Sequence, residues 1–138
     1  MSEYNHWSAI DFDFDFGSTS LYLKEIKDVD GALLIHIEHH DDHALFEIKC
    51  SPFSYRVTDE SYFWNPFETY ENNDSLSYKH NRIFYTKRSE YIDWFFSVNE
   101  RQNVEYFDKD DIYHVQILLC DYVVDLICTE LPTVTQIK

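Results

Sequence analysis

Residues 33–50 read Leu33-Leu34-Ile35-His36-Ile37-Glu38, then a polar cluster from His39 to His43, then Ala44-Leu45-Phe46-Glu47-Ile48-Lys49-Cys50. Apolar and polar residues alternate on both sides of the cluster, with Leu33, Ile35 and Ile37 sharing one face. Alternation of this kind sends successive side chains to opposite faces of an extended chain, so the segment predicts a β-hairpin with one buried side. Just upstream, Asp30-Gly31 is a tight-turn signal. It connects to an earlier strand at about residues 21–27, where Leu21, Leu23 and Ile26 supply the apolar side.

The same rhythm runs outward in both directions. Phe12, Phe14 and Phe16 interleave with Asp11, Asp13 and Asp15, and Gly17-Ser18 offers a turn into the next strand. After Pro52, Tyr55-Arg56-Val57-Thr58 reads as a further strand, followed by a loop-like region from Asp59 to Asn81. One segment breaks the pattern. Ser89 is placed to cap a short helix in which Tyr91, Trp94, Phe95 and Val98 fall at i, i+3, i+4 and i+7. The runs 112–119 and 122–131 fit either a helical stripe or a hairpin turning at Cys120-Asp121. Their content of Val, Ile and Tyr favours two strands. The expected fold is mainly β (α+β): an antiparallel sheet folded into a sandwich or open barrel, with one short helix near residues 89–98.

Two glycines and three prolines in 138 residues mark no linker, so residues 1–138 read as a single domain. Apolar residues make up 44% of the chain, which excludes disorder on composition. No basic stretch precedes an apolar run at the start, and no apolar run approaches a membrane span. Cys50, Cys120 and Cys128 form no C-x-x-C pair, and their odd number suits free thiols in a reducing compartment. A cytoplasmic protein is expected.

Charge narrows the function. Twenty-six Asp and Glu against 11 Lys and Arg leave a net charge of −15, alongside 25 aromatic residues. Such a surface repels nucleic acid and anionic lipid and attracts basic macromolecules. Asp11, Asp13 and Asp15 lie two apart, roughly 6.8 Å from one another on a strand, and form either a solvated face or a landing strip for a partner's Arg and Lys. A calcium loop is disfavoured, because Phe16 and Tyr22 stand where Gly and Glu belong. His36, His39, His40 and His43 belong to a polar turn in which zinc ligands would diverge. Neither metal nor cofactor is expected.

Two glycines cannot build a phosphate-binding loop, and no G-x-S-x-G elbow occurs. A histidine pair such as His36 with His114 leaves a ribonuclease-like site open, but a nuclease needs a basic surface that this chain lacks. The stretch 60–74 mixes aromatic anchors with carboxylates. Trp64, Phe67 and Tyr70, with Glu60, Glu68, Glu71 and Asp74, suit a protein interface or, alternatively, a plug at one end of the sheet.

Three pieces of the last two-thirds carry a resemblance. They are Phe53-Ser54-Tyr55-Arg56-Val57-Thr58-Asp59-Glu60-Ser61, Ser89-Glu90-Tyr91-Ile92-Asp93-Trp94-Phe95, and Ile112-Tyr113-His114-Val115-Gln116 leading to Val123-Val124-Asp125-Leu126-Ile127 and Glu130-Leu131-Pro132. In order and character they resemble small bacterial immunity proteins. Size and acidity are similar to those of the immunity proteins of contact-dependent growth inhibition systems. The resemblance implies a cognate basic toxin domain, often a nuclease, bound one-to-one by a monomer and blocked at its active site. It assigns no contact residues, and it favours the helix at Ser89 and the C-terminal hairpin. The alternatives are a nucleic-acid-mimicking inhibitor of a DNA-binding protein and a small-molecule carrier with a β-barrel cavity.

Overall fold

Strands β2 (Leu21–Val29), β3 (Ala32–His39) and β4 (Leu45–Cys50) form the hairpins that the alternation predicts. A computed structural model describes residues 7–10, 20–59, 82–98 and 109–137. Val29 pairs with Ala32 across Asp30 and Gly31, whose φ angles are 51° and 85°. Two consecutive positive values make the twist-matched two-residue turn, and Asp-Gly is the pair that adopts it at least cost. Leu33, Ile35, Ile37, Phe46 and Ile48 all point into the core. The register of β2 slips between Leu23 and Glu25, so Leu23 faces Ile37 while Ile26 faces Ile35. That bulge is why Leu21, Leu23 and Ile26 share a face despite the odd spacing. Strand β9 (Thr133–Gln136) pairs with β4 and completes the sheet β2-β3-β4-β9.

The second sheet contains β1 (Ser8–Ala9), β5 (Ser54–Asp59), β6 (Ile83–Thr86), β7 (Tyr113–Leu118) and β8 (Tyr122–Cys128). Its order is β1-β6-β7-β8-β5. Residues 113–128 are therefore a hairpin, turning at Cys120-Asp121 as the strand reading favours. That turn also joins the two sheets. Cys120 N–H donates to the Leu21 carbonyl at 2.8 Å, and Leu23 N–H donates to Asp121 Oδ1 at 3.1 Å.

Inner-face residues of both sheets build one core. Ile83, Val115, Ile117, Val124, Leu126 and Cys128 meet Leu33, Ile35, Ile37, Ile48 and Cys50. All three cysteines are free; burial pushes the Cys50 thiol up to about 11 and the Cys128 thiol up to about 12, so both stay protonated. The expected sandwich is thus present, and the second sheet has a covered back as well. Helix α1 (Glu90–Val98) and Ile112 pack on it through Tyr91, Ile92, Phe95 and Phe96, against Ile127. Trp7 and Ala9 cover Phe84, Leu118 and Val123 beside them.

Helix α1 corrects one reading. Of the stripe Tyr91, Trp94, Phe95 and Val98, Tyr91 and Phe95 pack on the sheet as expected, whereas Trp94 is 51% and Val98 56% exposed. Ile92 and Phe96, also four apart, join Tyr91 and Phe95 on the packed side, so the helix is rotated by part of a turn relative to the sequence reading. No helix among the described residues is long and apolar enough to cross a membrane.

Candidate functional site

The back of the second sheet holds a chain of polar side chains in an otherwise apolar layer. Antiparallel pairing sets Gln116 opposite Asp125, and Arg56 opposite Asp125 on the other side. One row up, His114 stands between Thr86 and Ile127. All of these residues project toward α1, because they alternate with the core residues Val115, Ile117, Val124 and Leu126. Asp125 is 0% exposed, and His114, Gln116 and Thr86 are buried with it.

Asp125 accepts three hydrogen bonds. His114 Nε2–H donates to its Oδ1 at 2.6 Å, Gln116 Nε2 donates to the same oxygen at 3.0 Å, and Arg56 Nε donates to Oδ2 at 3.1 Å. Burial by itself would push this carboxyl up. The hydrogen bond and charge of His114, together with those of Arg56, outweigh it and hold the carboxyl below its ordinary range. On the other side of the ring, His114 Nδ1 and the Ser89 hydroxyl share a hydrogen bond of 2.8 Å. Ser89 Oγ in turn accepts the Ile92 N–H at 3.2 Å, which is the helix cap that the sequence predicts.

The first turn of α1 closes the site. The Tyr91 ring meets His114 edge-on at 5.1 Å, and Trp7 does the same from its side at 4.9 Å. Tyr91 OH lies 2.8 Å from Ser54 Oγ, and the Arg56 guanidinium carbon sits 4.1 Å above the Tyr91 ring. Burial pushes the Tyr91 phenol up, despite Ser54 and Arg56, so it remains a hydroxyl. Outside this layer, Trp94 stacks on Tyr91 at 5.6 Å and Phe53 stacks on Phe95 at 6.1 Å, both largely open to solvent.

A hydroxyl, an imidazole and a carboxylate in series form the relay that activates a serine nucleophile. Here the relay is sealed. Ser89 is only 7% exposed, one Oγ lone pair holds the Ile92 cap, and Trp7 and Tyr91 flank the ring. A reacting carbonyl has no approach to Oγ among the described residues. What the arrangement does is lock β5, β7, β8 and the start of α1 together, through a fully hydrogen-bonded buried charge.

The residues singled out from sequence fall elsewhere. Asp11, Asp13, Asp15, Glu60, Trp64, Phe67, Glu68, Tyr70, Glu71 and Asp74 lie outside the described residues. His36 and His114 do not meet. His36 projects from the outer face of the first sheet, 3.0 Å from Glu47 and 3.8 Å from Glu25, with the whole sandwich between it and His114. His39 pairs with Asp42 at 3.1 Å and His43 with Glu38 at 3.6 Å, while His40 leans on Tyr22. Among the described residues no three His, Cys, Asp or Glu converge on a metal position. Sequence reasoning used Ser89 only as a cap and missed Arg56, Gln116 and Asp125. The available signal was polar residues inside apolar strands: His114 and Gln116 two apart, and Asp125 within Val-Val-Asp-Leu-Ile. No protein-family model matches the chain, and no curated protein or solved structure matches it.

Proposed function

We propose that this chain is a cytoplasmic immunity protein, a monomer that binds a cognate basic toxin domain one-to-one and occludes its active site. A nuclease is the expected toxin, since a domain that handles a polyanion carries the basic surface that a net charge of −15 attracts. The observation that carries the reading is the aromatic face over the second sheet. Trp94, Phe53 and Val98 stand out of the core beside Glu90 and Asp93. Aromatic anchors among carboxylates suit a tight interface with a cationic protein. The buried lock of Asp125, His114 and Arg56 lies directly beneath that face and supplies a rigid platform, which reduces the ordering cost of association.

If the neighbouring upstream reading frame encodes a large secreted protein with a variable C-terminal domain, the test is co-expression of that domain with this chain. Growth should be restored by this chain and lost again on Trp94→Ala. That substitution should weaken binding by about 30-fold or more, the level of an interface hot spot. Raising salt should slow association steeply while leaving the fold intact. Toxin domains that kill equally with and without this chain would overturn the proposal.

A further inference from the structure

Arg56 is held in an unusual way for a residue whose side chain is 48% exposed. Its Nε is tied to Asp125, a carboxylate with no exposure of its own, and its guanidinium plane rests on Tyr91. Tyr91 is fixed in its turn by Ser54 and by the packing of α1. A long, flexible side chain has thus lost most of its freedom before any ligand arrives. Its Nη hydrogens make no hydrogen bond among the described residues, so they present a fork of donors to solvent. Arg56 does more than neutralise Asp125, which also receives donors from His114 and Gln116. A lysine could supply the charge, but only a guanidinium can give Nε inward and keep Nη outward.

We propose that the Nη edge of Arg56 is a binding site for a carboxylate. The ligand class follows from geometry and charge. Two parallel N–H donors match the two oxygens of a planar carboxylate. Glu90 and Asp93 on the first turn of α1, within an overall charge of −15, penalise a dianion such as phosphate more heavily than a monoanion. The inference deepens the proposed function, since the same face would meet the toxin, whose own Asp, Glu or C-terminus would supply the carboxylate. It is tested without any toxin, so the two can fail separately.

The experiment is an NMR titration of the whole protein at constant ionic strength, following the Arg56 Nε–H. Sodium benzoate should shift it saturably, and benzamide, its neutral isostere, should leave it unmoved. Inorganic phosphate should bind more weakly than benzoate. Arg56→Lys, which keeps a cation over Tyr91, should weaken benzoate at least about tenfold, the loss of one well-made charged contact. A short Phe-containing peptide with a free C-terminus, compared with its amidated form bearing an internal Glu, identifies the source of the carboxylate. Binding of either supports the site. Equal shifts with benzoate and benzamide, tighter binding of phosphate, or unchanged affinity in Arg56→Lys would each overturn it, and the benzoate–benzamide comparison needs no variant to fold.

Discussion

On opposite outer faces of the sandwich, two histidines sit beside carboxylates, and their surroundings could hardly differ more. His36, on the first sheet, bridges toward Glu47 and Glu25 with solvent at hand; its side chain is 17% exposed and those of the glutamates more so. His114, on the second sheet, bonds to a carboxylate that water does not reach, under an aromatic lid. The pairs are chemically alike, and their weights are not. In water-rich surroundings a carboxylate that loses its histidine is resolvated. Beneath α1 it has nowhere to turn, so each donor to Asp125 becomes obligatory. The sequence motif, a histidine facing an acid across a strand pair, is silent about which case applies. The covering layer decides it.

Removing Asp125 is the sharpest way to break the comparison. Asp125→Ala strands the Nε2–H of His114, the amide of Gln116 and the Nε of Arg56, and should cost about 3–5 kcal/mol, read as a fall in the urea midpoint. That is a large share of the roughly 5–15 kcal/mol that holds a domain folded. The pH dependence gives a second reading of the same group. A carboxyl whose folded pKa lies below its unfolded value contributes stability above the unfolded pKa and loses it as pH falls through the folded one. Asp125 is shifted down from an ordinary 3.8. The stability gap between the wild type and Asp125→Asn should therefore be constant near neutrality and shrink only as pH drops through and below that value. A gap unchanged at the acid end would mean that this carboxyl is not held down by His114 and Arg56.

Ser89 tests the next layer out, with a smaller effect. Ser89→Ala removes both the cap on Ile92 N–H and the hydrogen bond to His114, and should cost about 1–2 kcal/mol by thermal or urea unfolding. Ser89→Gly separates the two roles, because glycine is a tolerable cap but brings no hydroxyl; on the cap alone it costs only about 0.3 kcal/mol. If the glycine variant is as unstable as the alanine one, the bond to His114 is what matters. If it is close to wild type, Ser89 is merely a cap, and the lock reduces to Asp125 and its three donors.

The two faces also explain what could be read without a structure. The first sheet has one wet side, so its strands alternate cleanly and Leu33, Ile35 and Ile37 could be placed in the core from spacing alone. Even there the bulge between Leu23 and Glu25 breaks the period, and nothing local in that stretch announces it. The second sheet is covered on both sides. Its β7 and β8 are buried almost end to end, which erases the alternation and leaves helix and hairpin hard to tell apart. The candidate site lies in that doubly covered layer. Four of its members, Arg56, Ser89, His114 and Asp125, come from four separate segments, brought together by strand register and by the packing of the start of α1. The rotation of α1 belongs to the same class of error: Tyr91 and Phe95 fit two overlapping stripes, and the partner sheet chooses between them.

The exposed pair should respond least. Glu47→Gln keeps an acceptor for His36 and removes one charge, and Glu25 remains 3.8 Å from the other ring nitrogen. Its cost should be about 0–1 kcal/mol, as for ion pairs that water can replace, and should shrink further with added salt. Paired with Asp125→Asn under identical conditions, this substitution turns the comparison into a number. A loss at Glu47 as large as the loss at Asp125 would show that burial under α1 is not what gives the second histidine its weight, and that the fields of the two faces are set by the chain's overall negative charge instead.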